Sequence, residues 1–350
     1  MSIILKASLA TNEQHKRLMA GQFRELTNLR NNSLESMNQL LAMTINHDLE
    51  LTGNDARTPE QAYLEFDRTS KIEQVPMGEH ATLTRLLGVA RSVNIGKEVF
   101  EYRKVSDAGI GQTSMSGQIG VKMDHTDVSY GGTVIPVHDI GFGRRWRETE
   151  SMRADGYDAL IDDSREVERQ LLTTLDTYMW DGDADVELKG SVWLGIKADP
   201  SVASATIGVD LAGGAVTATD IRNEVRRIRD ILLITNNCSG GIRLGISREI
   251  GSNWERVFSN ADGTFGTIRT MIEELRGITE IYEDSRLVGN QLFMAVIGQE
   301  GFHPVVGMGM STYMVPRQFH NSDYNFIKWA AVGFLVKTDF STRTCALYGA

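Results

Sequence analysis

The chain has 350 residues, of which 41% are apolar and 23% are charged, and its formal net charge is −10 at pH 7. This length and composition favour a sizeable buried core, either in two subdomains or in one domain with large excursions, and argue against general disorder. The acidic balance argues against tight nonspecific binding of nucleic acid over a broad surface, because phosphate backbones repel such a surface.

The first 55 residues are predicted to form a helical arm. Residues 1–10 are too weakly apolar for a signal peptide, and the sequence has no apolar run long enough for a transmembrane helix. Within residues 11–51, Leu18, Leu26 and Leu29 recur at helical spacing among polar residues. We therefore expect a helix that lies on the surface or is covered by a partner.

A long hairpin is predicted between residues 98 and 131. Apolar residues alternate with charged residues in 98–106, and 107–120 are rich in glycine and serine. The extended pattern then resumes in 121–131. Such a hairpin lacks the apolar face that it would need to stand alone in water. We expect it to lie on another surface, which belongs to a partner if the hairpin leaves its own domain.

Residues 128–148 are predicted as one long strand that ends in a basic segment. Three arginines flank a tryptophan there: Arg144, Arg145, Trp146 and Arg147. Arginine and tryptophan are enriched in protein–protein hot spots, where a guanidinium group can bind a carboxylate through two hydrogen bonds. We interpret the segment as a subunit contact with an acidic surface of a second copy. Two alternatives stay open, namely a local patch paired with Glu148 and Glu150, and a contact with DNA.

The remainder of the chain predicts an α+β fold. A long amphipathic helix is expected over 151–180, with a length of about 45 Å at 1.5 Å per residue. Further helices and strands are then expected to alternate. The helices are predicted at 218–235, 248–259 and 265–276, and the strands at 242–247, 278–284, 291–298 and within 325–349.

The sequence shows no catalytic or metal-binding motif. The segment "DAGIGQTSMSG" lacks a phosphate-loop pattern, and "DGDAD" (181–185) lacks the glycine and glutamate of a calcium loop. Cys238 and Cys345 are too few for a disulfide framework or a zinc site, and Cys238 has no basic neighbour that would activate a thiol. We predict no enzyme activity, no catalytic residue, no metal and no cofactor. The default is synthesis in a reducing cytoplasm.

The order of these parts resembles the major capsid proteins of tailed bacteriophages, which share the Hong Kong 97 fold with encapsulin shell proteins. Residues 98–131 look like the hairpin called the E-loop, and 151–180 look like the spine helix. "SVWLGIKADPSVAS" (191–204) resembles the entry to the axial domain. The closing segment 325–349 resembles the last strands of the peripheral domain.

This resemblance implies a domain organisation and a set of partners. The arm would be 1–55, the E-loop 98–131 and the axial domain 200–320. The peripheral domain would combine 56–97, 132–199 and 321–350. Copies of the chain would form pentamers and hexamers of an icosahedral shell in the virion, assembled in the host cytoplasm. The shell would enclose double-stranded DNA without binding it specifically, would have no membrane partner, and would be joined by portal, scaffolding or decoration proteins.

Some members of the family crosslink a lysine to an asparagine between subunits. Lys104 and Lys122 lie in the arms of the predicted hairpin and are candidate interface residues. Nothing in the sequence identifies an asparagine partner, so we predict no crosslink.

Two other functions compete with the viral capsid. An encapsulin-like compartment shell would enclose protein cargo, with an apolar groove for a cargo peptide and a shorter N-terminus. A cytosolic enzyme with an unrecognised site would have a deep pocket with converging polar groups and would form a small closed oligomer.

Overall fold

The structure is a computed structural model that describes residues 21, 24–25, 27–35, 74–109, 111, 113–116, 120, 123–154, 159–259 and 265–350. The chain divides into two compact units, Met1–Ser70 and Lys71–Ala350. In the first unit the described residues 21, 24–25 and 27–35 are helical and are called α1. They lie inside the predicted arm, whose other residues are outside the described part.

The second unit alternates helices and strands. Its helices are α2 (Ala81–Leu87), α3 (Trp146–Ala154), α4 (Ala159–Asp181), α5 (Ala218–Asp230), α6 (Arg248–Trp254) and α7 (Ile268–Glu273), and a π-helical turn, Ile231–Thr235, continues α5. Its first strands are β1 (Arg91–Ser92), β2 (Val99–Val105), β3 (Val128–Val134), β4 (Val137–Arg144), β5 (Asp183–Leu188), β6 (Ser191–Trp193) and β7 (Ala203–Ala205). The later strands are β8 (Ile242–Ile246), β9 (Val257–Ser259), β10 (Phe265–Thr267), β11 (Ile278–Glu283), β12 (Leu292–Ala295), β13 (Phe302–Met314), β14 (Tyr324–Val336) and β15 (Ala346–Gly349).

A four-stranded sheet with the order β1-β13-β14-β4 forms one layer, and α4 packs across one of its faces. Leu171, Leu175 and Met179 recur every four residues along α4 and are buried, which explains why this segment forms a helix on the sheet. Lys328 of β14 donates from Nζ to the Ser164 carbonyl oxygen at 2.9 Å and so ties the sheet to α4. Residues of β4 alternate between exposed and partly buried, whereas β14 alternates only in its first part and is buried from Ala330 to Val336.

A second sheet has the order β11-β8-β12-β15-β7. β8 pairs in parallel with β11 and antiparallel with β12, and β15 pairs antiparallel with β12 and parallel with β7. Its core includes Ile221, Val225 and Ile228 of α5, which follow a helical spacing and are fully buried. The helix begins after Thr217, whose side chain accepts a hydrogen bond from the backbone N–H of Asp220.

The end of α4 explains the "DGDAD" and "LGIKADP" segments. The N–H groups of Ile196 and Lys197 donate to the Met179 and Trp180 carbonyl oxygens, which would otherwise lack partners at the helix end. Gly182 and Gly195 have φ of +68° and +84°, and a Cβ on either would lie within 2.5 Å of the backbone of the other segment. Glycine is therefore required at both positions.

Several predicted boundaries are corrected by the structure. The helical segment begins at Trp146 rather than at 151, and α4 ends at Asp181; residues 155–158 lie outside the described part. The predicted long strand is two strands, β3 and β4. β3 pairs with β2 and β4 pairs with β14, and the change of partner falls at Pro136, which has no N–H to donate to a ladder. The predicted helix over 265–276 begins as β10, and β13 was not predicted at all.

The sheets cut across the predicted domain boundary at residue 320. β13 lies in the predicted axial segment but pairs along its length with β14 of the predicted peripheral segment. β15, predicted as peripheral, pairs with β12 in the five-stranded sheet. The sheet to which a strand belongs is decided by its contacts with strands that are distant in the chain. A single boundary residue does not describe those contacts.

The two cysteines are joined by a disulfide, Cys238–Cys345, across 107 residues of sequence. Cys238 lies in the turn before β8 and Cys345 directly precedes β15. Two cysteines are too few for a disulfide framework, and the sequence did not predict that they pair, but the structure joins them in one bridge. Because β8 and β15 flank β12 in one sheet, their ends come together although the residues are far apart in sequence.

Candidate subunit-contact surfaces

Arg144 is bound to its own chain. Its guanidinium group makes two hydrogen bonds to the Asp163 carboxylate, one of them at 2.8 Å, and a third to Glu148 at 2.9 Å. The hydrogen bonds that Arg144 donates to the Asp163 carboxylate raise the pKa of Arg144 above its ordinary value. Arg144 therefore joins the end of β4 to α3 and α4. For this one residue, the pairing with Glu148 agrees with the alternative that the basic segment is a local patch.

Replacing Arg144 by alanine should lower the free energy of unfolding by about 1 kcal/mol, because charge-assisted hydrogen bonds at a partly exposed site are lost. Chemical denaturation of the purified variant measures this. Arg145→Ala is the matched control and should change stability by less than about 0.5 kcal/mol. Equal losses in both variants would contradict the structural role of Arg144.

The other three side chains of the basic segment are more available than Arg144 for contact with a partner. Arg145 and Arg147 are exposed and Trp146 is half-buried. The Trp146 backbone N–H donates to the Asp323 carboxylate at 3.1 Å, which holds the start of α3 against the loop between β13 and β14. All four residues of the basic segment are at least partly exposed, but within the described part of the chain only the Arg144 guanidinium group is bound to acidic side chains of its own chain.

Lys104 lies at the base of the hairpin and faces its own domain. Its Nζ donates to Thr338 Oγ1 at 2.5 Å, and the Tyr102 hydroxyl accepts from the Thr338 N–H at 2.7 Å. These bonds fasten β2 to the segment that follows β14. Lys122, the other predicted interface lysine, lies outside the described residues.

The opposite face of the hairpin is exposed. Val105 and Val128 are directly opposed and are 52% and 49% exposed, and the Tyr130 side chain opposite Arg103 is 66% exposed. Exposure of apolar side chains to water is unfavourable, and a surface that covered them would remove this cost. The sequence predicts that the hairpin lies on another surface, and these exposed apolar residues are where such a surface could contact it.

A second exposed surface lies on the four-stranded sheet, on the face away from α4. It carries Val137, Tyr313 and Ile327, which are 52%, 51% and 39% exposed. Tyr313 and Ile327 are register partners, and Ile327 is opposed to Gly141 of β4. The sequence analysis missed this surface, because β13 was not predicted and the pairing of β4 with β14 joins residues that are far apart in the chain.

A cleft of about 410 Å³ lies between the hairpin base and the β5–β6 hairpin. Lys104, Lys189, Thr133 and Trp193 are among its lining residues. The described residues contain no group of three or more histidine, cysteine or acidic side chains that could hold a metal ion. No helix among them is long and apolar enough to cross a membrane.

Solved capsid structures match this fold along most of the chain. The capsid of Myoviridae phage XM1 aligns with a TM-score of 0.61 and 12% identity, over 84% of this chain and 99% of that chain. A structure from Mycobacterium phage Bobi aligns with a TM-score of 0.57 and 11% identity, over 83% and 96%. The capsid of a native GTA particle aligns with a TM-score of 0.54 and 16% identity, over 83% and 96%. The chain therefore has the Hong Kong 97-like capsid fold, and this prediction is confirmed.

The chain belongs to a family described as a family of unknown function, DUF6260, whose profile matches residues 53–349. That range includes every described strand of the protein and excludes most of the predicted arm. No curated protein matches the sequence.

Proposed function

We propose that the chain is the major capsid protein of a tailed bacteriophage, a structural subunit rather than an enzyme. Copies would assemble as pentamers and hexamers into an icosahedral shell that encloses double-stranded DNA. The observation that carries this proposal is the alignment of this chain with 99% of the phage XM1 capsid chain. The net charge of −10 suits a wall that contains DNA without adhering to it.

The domain roles follow from the same fold. We assign α4 as the spine helix, and the four-stranded sheet with α4 as the core of the peripheral domain. The five-stranded sheet would form the axial domain, and the hairpin over 98–131 would be the E-loop that lies across a neighbouring copy. The arm, 1–55, would contact a further copy. The exposed Val105, Val128 and Tyr130 support the E-loop assignment, since a neighbouring surface would cover them.

The exposed residues of the basic segment would take part in subunit contacts. Arg145, Trp146 and Arg147 would meet an acidic surface of a second copy, while Arg144 stabilises the segment within its own chain. A shell contains many identical contacts closed by symmetry, so each contact can be weak without making the assembly weak. Lys104 and Lys122 remain candidate interface residues at the hairpin.

Electron microscopy of the purified chain tests the proposal. The full chain would be expressed alone in the cytoplasm and then together with a scaffolding protein, because some capsid subunits need one. Closed shells, or rings of five and six subunits, are the expected result. Dimers or tetramers in both preparations, even at high protein concentration, would contradict the proposal.

The contents of such particles distinguish a viral capsid from a compartment shell. Particles formed during infection should contain double-stranded DNA that resists nuclease until the shell is opened. Particles that enclose a protein cargo and no DNA would instead support the compartment-shell alternative.

A further inference from the structure

One edge of the four-stranded sheet has no neighbouring strand among the described residues. β4 is the last strand in the order β1-β13-β14-β4, and its one described partner is β14. The Val332 N–H donates to the Pro136 carbonyl oxygen, so the Pro136–Val332 position is a hydrogen-bonded pair of this antiparallel ladder. Such pairs alternate along a ladder, and the even-numbered residues of β4 therefore bond to β14. The odd-numbered residues, from Val137 to Gly143, direct their N–H and C=O groups outward.

This edge lacks most of the features that usually block strand addition. Proteins protect long edge strands with charged side chains, lysine above all, and with proline, bulges or a covering element. β4 is eight residues long, contains neither lysine nor proline, and has no bulge in its pairing with β14. Gly141 and Gly143 are exposed, and because glycine has no side chain, the exposed surface is backbone. Within the described part of the chain, no backbone group bonds to the outer side of β4.

The charges at the two ends of the edge are opposite. Asp139 and Arg145 are both exposed, and neither forms an ion pair or a hydrogen bond through its side chain within the described residues. A second copy could add antiparallel with Asp139 opposite Arg145 of the other copy and Gly141 opposite Gly143. Both residues of each pair are odd-numbered, so the outward N–H and C=O groups of one strand would face those of the other. The paired glycines would leave no side chain in the way.

We propose that β4 is a self-complementary contact, at which two copies of this chain add their edges antiparallel about a two-fold axis. The contact would consist of about four backbone hydrogen bonds, from the two Gly141–Gly143 pairs. Two Asp139–Arg145 ion pairs, one at each end, would set the register. The geometry is isologous, since each copy contributes the same residues. The partner is therefore a second copy rather than an unrelated protein.

This inference rests on the proposed assembly function and names the partner of Arg145 within it. It is independent of the hairpin, because it uses only β4 and the residue that follows. The sheets of two subunits would become one continuous eight-stranded sheet across the axis. A contact of this size is weak alone and would act as one of many in a closed shell.

Engineered cysteines test the register directly. The double variant Asp139→Cys with Arg145→Cys would place the two thiols on opposed residues, with Cα atoms about 5.5 Å apart, a distance that a disulfide spans. In either single variant the two copies' thiols would lie about 20 Å apart, at 3.4 Å per residue. Mild oxidation should therefore give a reducible dimer in the double variant and not in the single variants. Peptide mapping should find residue 139 joined to residue 145, and equal crosslinking of a single variant would overturn the proposed register.

Charge reversal tests the ion pairs in the otherwise unchanged chain. Asp139→Arg and Arg145→Asp should each weaken association about fivefold, because each places like charges opposite one another at both ends. The combined variant should regain the wild-type association, measured by sedimentation velocity. Failure of the combined variant to recover, while both single variants remain folded, would overturn the pairing.

Blocking the edge tests the backbone hydrogen bonds. Gly141→Pro removes an outward N–H, whereas Gly141→Ala keeps it, and a Cβ at this position meets only the Phe326 carbonyl oxygen at 3.9 Å. The proline variant should lose association and the alanine variant should not. If wild-type chain formed no particles, the proposed function would fail, while the cysteine crosslink would still report on the β4 contact in the soluble protein. Particles formed equally by the proline and alanine variants would overturn the inference and leave the proposed function standing.

Discussion

Cys238→Ser should lower the free energy of unfolding by about 4–5 kcal/mol when the protein is oxidised, because a bridge across a loop of this length strongly restricts the unfolded chain. The bridge spans 107 residues, from the turn before β8 to the start of β15. Unfolding in denaturant, followed by circular dichroism with and without dithiothreitol, measures the effect.

The control variants replace the other cysteine of the bridge, or both cysteines. Cys345→Ser and the double serine variant should be destabilised as much as Cys238→Ser, since all three lose the same bond and the losses do not add. Dithiothreitol should bring the wild type close to the variants and leave the variants unchanged. Equal stability of the wild type with and without reductant would show that the bridge is absent in the purified protein.

Arg286→Met is expected to cost about 3–5 kcal/mol at pH 7, because it leaves a buried carboxylate without its cation. Arg286 Nε lies 3.0 Å from Asp176 Oδ2, and the Asp176 residue is only 1% exposed. Asp284, which is fully buried, lies close enough to Asp176 for the two charges to interact. Thermal or chemical unfolding of the purified variant measures the loss.

The pH dependence of this loss has a definite sign. Burial, followed by the charge of Asp176, raises the pKa of Asp284 above its ordinary value of 3.8, despite hydrogen bonds from Thr82 and Arg286 that lower it. A carboxyl group with a raised pKa in the folded state contributes stability at low pH, which is lost as the pH rises through its folded pKa. Without Arg286 the neighbouring Asp176 and Asp284 carboxyl groups lose the arginine that offsets their repulsion, and this repulsion weakens as Asp284 takes up a proton. The deficit relative to the wild type should therefore shrink as the pH falls toward 4.

Arg165→Met is the matched control for this prediction. Arg165 lies on the same helix side as other charged residues of α4, is 65% exposed in its side chain, and faces Asp162 at 3.9 Å. Its replacement should change stability by less than about 0.5 kcal/mol at any pH, since exposed ion pairs contribute little. A pH-independent deficit in Arg286→Met would contradict the role assigned to the buried carboxylates.

The sequence by itself determined the elements with strong local signals. The three- and four-residue spacing of Leu171, Leu175 and Tyr178 predicted α4, and the alternation around a glycine-rich tip predicted the β2–β3 hairpin. The order of these elements resembles that of the Hong Kong 97-like capsid proteins, and this resemblance predicted the fold. The signals are local because each is a periodic pattern within one continuous segment of the chain.

Only the tertiary structure decided the pairing of distant segments. It joined β13 to β14, brought Cys238 to Cys345, bound Arg144 to Asp163, and left the outer edge of β4 without a paired strand among the described residues. These features depend on which strands become neighbours, and a sequence pattern records which face of a strand is buried but not the neighbour that buries it. The basic segment is the clearest case, since its three arginines are alike in sequence and the fold gives Arg144 and Arg145 different surroundings.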